Sequence, residues 1–525
     1  ASVSRNSVNA PDVTMRFATA LIAAGVGALR AAPQADLVTS LPGFEAEFEK
    51  GLDYEIFSGY LDVPDLPKAT TGYTSLRIHY ELHTCAKKAC PLAVWHQGGP
   101  GGSAIYGAWT EMGPFQVMAS GFKVDAFAWN AAAHMLYLES PAGSATAGPA
   151  TGFSTCAVDG VVQKTCAWDD VSQAVAYAHT LKAFFVAFPE FAGTDLFLVG
   201  ESYAGQYIPN IASHVIHSDY PFNISGIAVG NGCWGGTANS IHCNGPNAEA
   251  HDVEMFWGKG LLSNKLYSAI QDECDFSVFA NDDDDDPTSS KASKKCNQLL
   301  DDATDAVGPH NVYFIYDDCP LGAEWLSAHS VHPRWLKSFV RERPHLSRPQ
   351  LDGALRLALG HAESEAGFPW DCESDPALNA YFSREDVKEA LHLGGPGSDF
   401  QYDLSGPASV LLYPELVKHM RVLIFNGDSD ACVPYKGNEE WTTGLATAGI
   451  VVEAAPWRPW YAAQTARNAP SGYVTTYTVP GKVHNATGPD FAFLTVRLAG
   501  HMVPTFQPEA ALALFQRFVS GARAF

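Results

Sequence analysis

The sequence predicts an α/β protein, in which a mostly parallel central sheet is covered by helices and interrupted by an inserted, mainly helical cap. The first observation is that short apolar runs alternate with segments of helical periodicity, of which 171–188 is the clearest. Such alternation is typical of a parallel sheet with helices on both faces. The predicted strands lie at 76–82, 92–95, 135–138, 196–199, 224–229, 422–425 and 494–498.

The second observation is a change of character in the middle of the chain. Residues 233–372 carry several cysteines, an aspartate run at 282–286 and helical stretches without strong strands. We interpret this region as the cap, which divides the core into 36–232 and 373–525. We expect the aspartate run to be a solvated loop open to proteolytic cleavage. It is not a calcium site, because it lacks the alternating ligands and the turn glycine of a calcium loop.

Charge and the amino-terminal segment limit the partners and the compartment. The 525 residues carry a formal net charge of −24, which would repel nucleic acid and anionic membrane surfaces. Residues 1–35 predict an extension and a secretory signal peptide, because Met15 and Arg16 precede a short apolar run and small residues. The run is too short for a membrane span, and none is expected in the mature protein. The alternative for this segment is a buried helix.

Eleven cysteines and two glycosylation sequons favour an oxidising compartment. Asn223 and Asn485 begin the sequons, at which a secreted protein would carry glycans. No Cys-x-x-Cys pair occurs, so no metal site is expected. Several cysteines lie close together in loop-like sequence, which indicates disulfides. The pairs that proximity suggests are Cys85 with Cys90 and Cys156 with Cys166.

Residues 200–205 read Gly-Glu-Ser-Tyr-Ala-Gly, and their surroundings predict a nucleophile. A short apolar strand precedes them and a helix-like segment follows, which is the context that a nucleophile elbow requires. Gly200 and Gly205 permit a sharp turn without a Cβ clash, and the turn would expose the hydroxyl of Ser202 at the carboxyl edge of the sheet. Because a bare Gly-x-Ser-x-Gly is common, chance is the alternative for this motif alone.

Three further stretches follow predicted strands and complete a catalytic set. The glycine-rich loop 97–103 can aim N–H groups at an oxyanion. A phosphate loop is the competing interpretation, but Pro100 interrupts it and no Lys-Ser/Thr follows. Asp430, or its neighbour Asp428, can orient a histidine, and His501 comes just after the last predicted strand. The order Ser, Asp, His is that of α/β hydrolases.

These blocks resemble those of the serine carboxypeptidase family over almost the whole mature chain. The matching blocks are 98–101, 200–209, 427–430 and 500–504, with weaker matches elsewhere. The resemblance implies an α/β-hydrolase fold in which Ser202 attacks the scissile carbonyl, His501 moves the proton and Asp430 orients His501. It also implies chemistry without a metal or an organic cofactor.

The resemblance further implies a site for the free carboxylate of a peptide. The backbone N–H groups of Gly99 and Tyr203 would hold the oxyanion, and Met502 would border a substrate pocket. Two close carboxyls cannot both ionise cheaply, so one should have a raised pKa and donate to the substrate. Peptidase activity would then be strongest at acidic pH, although Glu201 could instead simply pack in the elbow. The residues at the family's carboxylate-binding positions are Gln97, Gly98, Glu111 and Glu201.

Three departures from the family pattern are particular to this chain. Position 97 is Gln where Asn is commonest, so carboxylate binding should survive with altered reach. Gly102 replaces a usual Cys whose partner matches Cys372, and an insertion within 142–154 would reshape the rim of the site. Cys296 and Cys432 are left unassigned. The disulfides that the resemblance implies are Cys233 with Cys243 and Cys274 with Cys319.

The sequence therefore predicts a serine carboxypeptidase that hydrolyses the C-terminal bond of peptides or proteins. We expect it in the secretory pathway, and finally outside the cell or in a vacuole or lysosome. The alternatives are an acyltransferase, which would admit an alcohol to the same acyl-enzyme, and a non-catalytic binding or protective protein of this fold. A homodimer is one possible assembly. Side-chain preference does not follow, because the cap and rim loops form those pockets.

Overall fold

The structure is a computed structural model that describes residues 33–87, 89–118, 121–144, 152–235, 243–281, 292–308, 310–316, 374–405, 407–462, 469–484, 488–522 and 525. The predicted extension and signal peptide therefore lie almost entirely outside the described residues. The same holds for the aspartate run at 282–286 and for Cys319, Cys372 and Asn485. Among the described helices, none has both the length and the hydropathy that crossing a membrane requires.

The strands are numbered in chain order. They are β1 (Ile56–Val63), β2 (Ser75–His83), β3 (Leu92–His96), β4 (Phe115–Met118), β5 (Gly121–Val124), β6 (His134–Leu138), β7 (Thr155–Val158), β8 (Val161–Val162), β9 (Thr165–Asp169), β10 (Leu196–Glu201), β11 (Ile224–Gly230), β12 (Asp399–Asp403), β13 (Arg421–Gly427), β14 (Val452–Trp460), β15 (Gly472–Thr478) and β16 (Phe491–Val496).

The α-helices of the described residues are α1 (Glu45–Lys50), α2 (Lys68–Thr71), α3 (Ala104–Thr110), α4 (Asp170–Ala187), α5 (Ala204–Ile216), α6 (Ala248–Gly258), α7 (Asn264–Glu273), α8 (Lys294–Val307), α9 (Ser374–Phe382), α10 (Glu385–Ala390), α11 (Tyr413–His419), α12 (Tyr435–Thr447), α13 (Val503–Phe506) and α14 (Pro508–Ser520). Short 3₁₀ turns occupy Gln34–Asp36, Trp129–Ala131, Pro189–Phe191, Phe276–Asn281 and Ser409–Leu411.

Twelve strands form one sheet in the order β14-β15-β16-β13-β11-β10-β3-β6-β2-β7-β8, with β1 paired to β2. The six strands from β16 to β6 run parallel to one another, which confirms the expected parallel centre. The strands on either side join antiparallel, so the sheet as a whole is mixed. For β7 and β8 the antiparallel pairing follows from the length of the link. Asp159 and Gly160 alone connect the two strands, and two residues are too few for the crossover that a parallel pair requires.

The sheet is covered on both faces, as the alternating pattern predicts. All six residues of β10 are buried, and successive residues enter different hydrophobic clusters. Leu196 and Leu198 pack with residues of α4 and α5 on one face. Phe197 and Val199 pack with residues of α3 and α14 on the other. Fully buried strands of this kind show continuous apolar runs, which is why the central strands could be found from the sequence.

The parallel centre decides where the loops meet. Because β3, β10, β13 and β16 run in one direction, their carboxyl ends lie at the same edge of the sheet. The four segments that follow these strands are the glycine loop, the elbow, the Asp430 loop and the His501 loop. Sheets of this type bind their ligands outside the carboxyl ends of the strands. The fold therefore gathers the predicted site at one edge.

The described part of the predicted cap is helical. Helices α6, α7 and α8 follow β11, and no strand occurs within 233–235, 243–281, 292–308 and 310–316. Helices α7 and α8 pack through a small hydrophobic cluster that includes Ile270 and Leu300 and that Val253 of α6 joins. This packing brings Cys274, at the end of α7, to Cys296 in α8, with Cα atoms 5.1 Å apart, and the two form a disulfide. The expected bond from Cys274 to Cys319 is therefore wrong.

Three other disulfides join cysteines that are close in the sequence. Cys233 is bonded to Cys243, which is the pairing that the family resemblance implies. Among the described residues the free cysteine is Cys432, which is partly buried. The two remaining disulfides are those expected from proximity, Cys85 with Cys90 and Cys156 with Cys166.

Candidate active site

Ser202 lies in a strained turn between β10 and α5. Its φ angle is +59°, in the left-handed region that residues other than glycine seldom adopt. Its N–H donates to the carbonyl of Gly230 at 3.0 Å, and its carbonyl accepts from the N–H groups of Gly205 and Cys233, each at 2.9 Å. Strain held in place by surrounding hydrogen bonds is typical of functional positions. The predicted nucleophile elbow is thus present as a backbone geometry.

The glycines around Ser202 are required by close packing. A Cβ atom on Gly200 would lie 2.3 Å from the carbonyl oxygen of His96, and one on Gly205 would lie 2.1 Å from that of Cys233. Gly98, in the glycine loop, stands against the elbow, where a Cβ would meet the Cβ of Ser202 at 2.5 Å. These glycines therefore permit the close approach of the loop to the elbow as well as the sharp turn at Ser202.

We expect Gly98→Ala to lower the rate of ester hydrolysis by at least about 100-fold. Its new methyl group would also lie 2.7 Å from the backbone nitrogen of Tyr203, so the loop or the elbow must move. A displacement of catalytic groups by about 1 Å can cost that much. Gly444→Ala is the matched control, because a Cβ there meets nothing within 4 Å. Gly98→Ala with unchanged turnover would show that this contact does not position the site.

The N–H groups predicted to bind the oxyanion, those of Gly99 and Tyr203, lie where the glycine loop contacts the elbow. Tyr203 precedes α5, and its ring hydroxyl donates to Asp170 at 3.0 Å. On the loop, the N–H of Gly102 donates to the carbonyl of Gly98 at 2.9 Å, and the N–H of Gly101 donates to the hydroxyl of Tyr207 at 3.2 Å. These bonds fix the loop that carries Gly99 beside the start of α5. Rigid placement of N–H groups is what stabilisation of an oxyanion needs.

Asp430 and His501 are in contact, and both are buried. His501 Nδ1 lies 2.7 Å from Asp430 Oδ2. Asp430 Oδ1 accepts from the N–H of Cys432 at 2.8 Å, and Oδ2 accepts from the N–H of Val433 at 3.2 Å and from the side-chain amide of Asn231 at 2.7 Å. The carboxylate therefore has fixed donors around both oxygens, and its orientation toward the imidazole is fully determined.

Asp428 has a different environment. Its carboxylate lies 3.2 Å from Lys259 Nζ and accepts from the N–H of Leu498 at 2.9 Å. It thus ties Lys259, directly after α6, to the loop that leads to His501, while Asp430 alone of the two reaches the imidazole. Of the two acids that the sequence offered, the structure places Asp430 against His501.

Glu111 and Glu201 form a buried pair that one amide joins. The Gln97 Nε2 atom donates to Glu201 Oε1 at 2.8 Å and to Glu111 Oε1 at 3.0 Å, and its Oε1 accepts from Trp95 Nε1 at 2.8 Å. The amide nitrogen of Gln97 therefore bonds to both acids. Its two N–H donors are directed at the acids rather than into open space.

Burial raises the pKa of Glu111, and hydrogen bonds from Gln97 and Glu201 offset part of that increase. The pKa of Glu201 is raised well above its usual range, first by burial and then by the neighbouring Glu111 carboxyl. Two such carboxyls retain a shared proton to a higher pH than a solvated glutamate does. The charge of His501 lowers the pKa of Glu111, and the charge of Asp430 raises the pKa of Glu201. The acid pair therefore belongs to the same site as His501 and Asp430.

A segment of the cap crosses the site. The backbone N–H of His501 donates to the carbonyl of Tyr313 at 2.7 Å, and the centroids of the two rings lie 4.7 Å apart. On either side, the Val312 carbonyl accepts from the N–H of Ala431, and the N–H of Ile315 donates to the carbonyl of Ser429. The segment therefore bridges the Asp430 and His501 loops.

Sequence reasoning missed both Asn231 and Tyr313 as parts of the site. Asn231 stands between two glycines directly after a predicted strand, and this context was the signal that could have found it. Tyr313 lies in the cap, far from any motif, and no local signal marks it. Met502 is largely buried in the cluster that contains α14. Asn223 is exposed just before β11, while Asn485 lies outside the described residues.

The central sheet, the strained serine and the buried carboxylate–imidazole contact define the class first: the protein has the α/β-hydrolase fold. The comparison with known families then gives the particular group. The family model described as serine carboxypeptidase matches residues 42–521, so the chain belongs to the serine carboxypeptidase family. This membership confirms the predicted enzyme class.

Individual relatives agree over nearly the whole chain. Serine carboxypeptidase-like 42 of Arabidopsis thaliana is 28% identical over 517 residues, covering 94% of this chain and 92% of the relative. The lysosomal protective protein of Mus musculus is 29% identical over 510 residues, covering 93% and 94%. Among solved structures, Kex1Δp, a prohormone-processing carboxypeptidase from Saccharomyces cerevisiae, matches with a TM-score of 0.61 at 18% identity, covering 94% and 96%. That likeness shows the shared fold.

Proposed function

We propose that the protein is a carboxypeptidase that releases the C-terminal residue of peptides or proteins through an acyl-enzyme on Ser202. The observation that carries this proposal is the buried acid pair of Glu111 and Glu201, joined by Gln97 and lying next to the elbow. A general hydrolase has no need of two protonatable carboxyls there. A substrate with a free carboxylate does need a neutral or positive partner, because an ionised pair would repel it.

The chemistry follows from the arrangement of the site. His501, oriented by Asp430 at 2.7 Å, accepts the proton as the Ser202 hydroxyl attacks the scissile carbonyl. The N–H groups of Gly99 and Tyr203 stabilise the oxyanion. His501 then donates its proton to the leaving amine, and the C-terminal amino acid departs. Water, activated by the same imidazole, hydrolyses the ester on Ser202.

The substrate carboxylate is held on the other side of the scissile bond. A shared proton on Glu111 and Glu201 offers a donor, and the backbone N–H of Gly98 offers another. Gln97 holds the two acids together, since its amide already bonds to both. Met502, beside His501 in the sequence, would contribute to the pocket for a substrate side chain.

The test compares C-terminal release from a blocked dipeptide with release from its amidated form, between pH 4 and pH 8. Release from the free acid alone, strongest in acid and lost in Ser202→Ala, is the expected result. Equal cleavage of the amide would contradict carboxylate recognition. If neither is cleaved while a phosphonate still labels Ser202, acyl transfer to an alcohol becomes the better account. Gly444→Ala serves as the control for expression and handling.

We further propose that the protein passes through the secretory pathway. Four disulfides among the described residues favour an oxidising compartment, and the sequon at Asn223 is exposed. A relative named lysosomal protective protein fits the same route. The final compartment and a homodimeric assembly stay predictions.

A further inference from the structure

Asn231 occupies a position that very few residues could fill. It follows β11 directly, is fully buried and has a φ angle of +42°. Besides glycine, Asn and Asp are among the residues that enter this left-handed region most readily, because their short polar side chains bond locally. The N–H of Asn231 donates to the carbonyl of Phe425 in β13 at 2.8 Å, which ties the turn to the neighbouring strand.

The side-chain amide of Asn231 makes two bonds of opposite kind. Its Nδ2 donates to Asp430 Oδ2 at 2.7 Å, and its Oδ1 accepts from the N–H of Gly427 at 3.0 Å. Glycine would satisfy the backbone but provide neither bond. An ionised Asp would provide the acceptor and place a second charge against Asp430. Of these three residues, Asn alone provides both bonds whatever the pH.

We propose that Asn231 is a positioning residue that holds the Asp430 carboxylate in register with His501 and limits its negative charge. The inference rests on the proposed function, because it assigns Asp430 and His501 their roles in the proton transfer. The bond from Asn231 falls on Oδ2, the same oxygen that contacts His501 Nδ1. A donor on that oxygen withdraws charge from the contact and prevents the carboxylate from rotating away.

Other titratable groups also face this contact and must be held constant in any test. They are Glu111 directly after α3, Glu201 at the end of β10, Tyr313 from the cap, Cys432 on the loop of Asp430, Asp252 near Cys432, and the ion pair of Lys259 with Asp428. None of these side chains is altered by a change at position 231. The ratio of variant to wild-type rate therefore removes their common contribution.

Two substitutions at position 231 should have opposite pH dependence. In Asn231→Gly the backbone can keep its left-handed conformation, but the amide donor to Asp430 is lost. Asp430 then binds the imidazolium more tightly, and His501 keeps its proton to higher pH. The variant-to-wild-type rate ratio should then be lowest in acid. Asn231→Asp, when protonated, donates as Asn does, but loses this donor and repels Asp430 when ionised. Its ratio should be close to one in acid and fall as the pH rises.

The experiment measures hydrolysis of an N-acylated amino acid ethyl ester, which has no free carboxylate, from pH 4 to pH 8. At its best pH we expect Asn231→Gly to retain about 1 to 10% of the wild-type kcat, the cost of a hydrogen bond to a charged group. The thermal unfolding midpoint is measured in parallel. If the Gly variant fails to fold, the Asp variant, which is nearly isosteric, still carries the test.

Rate ratios that do not vary with pH in either variant would overturn the inference, because a purely structural role lowers both rates uniformly. Opposite trends would support it. The outcome is separable from that of the proposed function. A wild-type protein that hydrolyses the ester but releases no C-terminal residue contradicts the carboxypeptidase proposal and leaves the Asn231 test intact. A wild-type protein that neither turns over the ester nor reacts with a phosphonate contradicts both.

Discussion

Replacing Asp430 by Asn should lower kcat by about 10³- to 10⁴-fold, with little change in KM. The donors around the carboxylate determine how the amide would sit. Oδ2 receives hydrogen bonds from Asn231, Val433 and His501, whereas Oδ1 receives one from Cys432. The amide oxygen should take the position of Oδ2, so the imidazole keeps its orientation. What is lost is the negative charge that stabilises the imidazolium during proton transfer.

The matched control for this change is Asp428→Asn, two residues away on the same loop. Asp428 bonds to Lys259 and to the N–H of Leu498 and does not reach His501, so we expect a decrease of less than about 10-fold. Both variants are compared by kcat and by the rate at which a phosphonate labels Ser202. Similar decreases in the two variants would contradict the assignment of Asp430 as the partner of His501.

Removing the Glu201 carboxyl by Glu201→Ala should lower kcat/KM for peptides with a free C-terminus by about 10²- to 10³-fold. Esters and amidated peptides should lose far less, since they do not use the carboxylate site. Under the proposed function the protonated pair of Glu111 and Glu201 is the donor to the substrate carboxylate, and the loss of Glu201 leaves Glu111 and Gln97 without their shared partner. An equal loss on both substrate types would show that Glu201 supports the elbow instead.

The pH dependence of the wild-type protein follows from the same pair. Both pKa values are raised, so below the raised values the pair carries its protons and offers a donor to the substrate carboxylate. As the pH rises through them, the pair becomes anionic and repels the substrate. Activity on free-acid peptides should therefore fall toward alkaline pH while ester hydrolysis persists. In Glu111→Gln this decline should move to lower pH, because the Glu111 carboxyl then no longer raises the pKa of Glu201.

The sequence by itself determined the central strands, the elbow and the loops that carry Asp430 and His501. These features are local, since a buried strand shows a continuous apolar run and a tight turn needs glycine where a Cβ would collide. At Gly200 and Gly205 the structure finds such collisions within about 2.3 Å. The parallel centre followed from the alternation of elements, and it places the loops after β10, β13 and β16 at one edge without further information.

Only the tertiary structure decided which distant residues meet. Asn231 bonds to Asp430 across 199 positions, and Tyr313 of the cap contacts His501. The family resemblance already implied that Glu111 and Glu201 lie together, but not that one amide nitrogen of Gln97 bonds to both. Cys274 pairs with Cys296 because α7 and α8 pack together, a choice that cysteine spacing leaves open. Local patterns record whether a residue is buried or turns the chain. They do not record its partner, which depends on how whole elements pack.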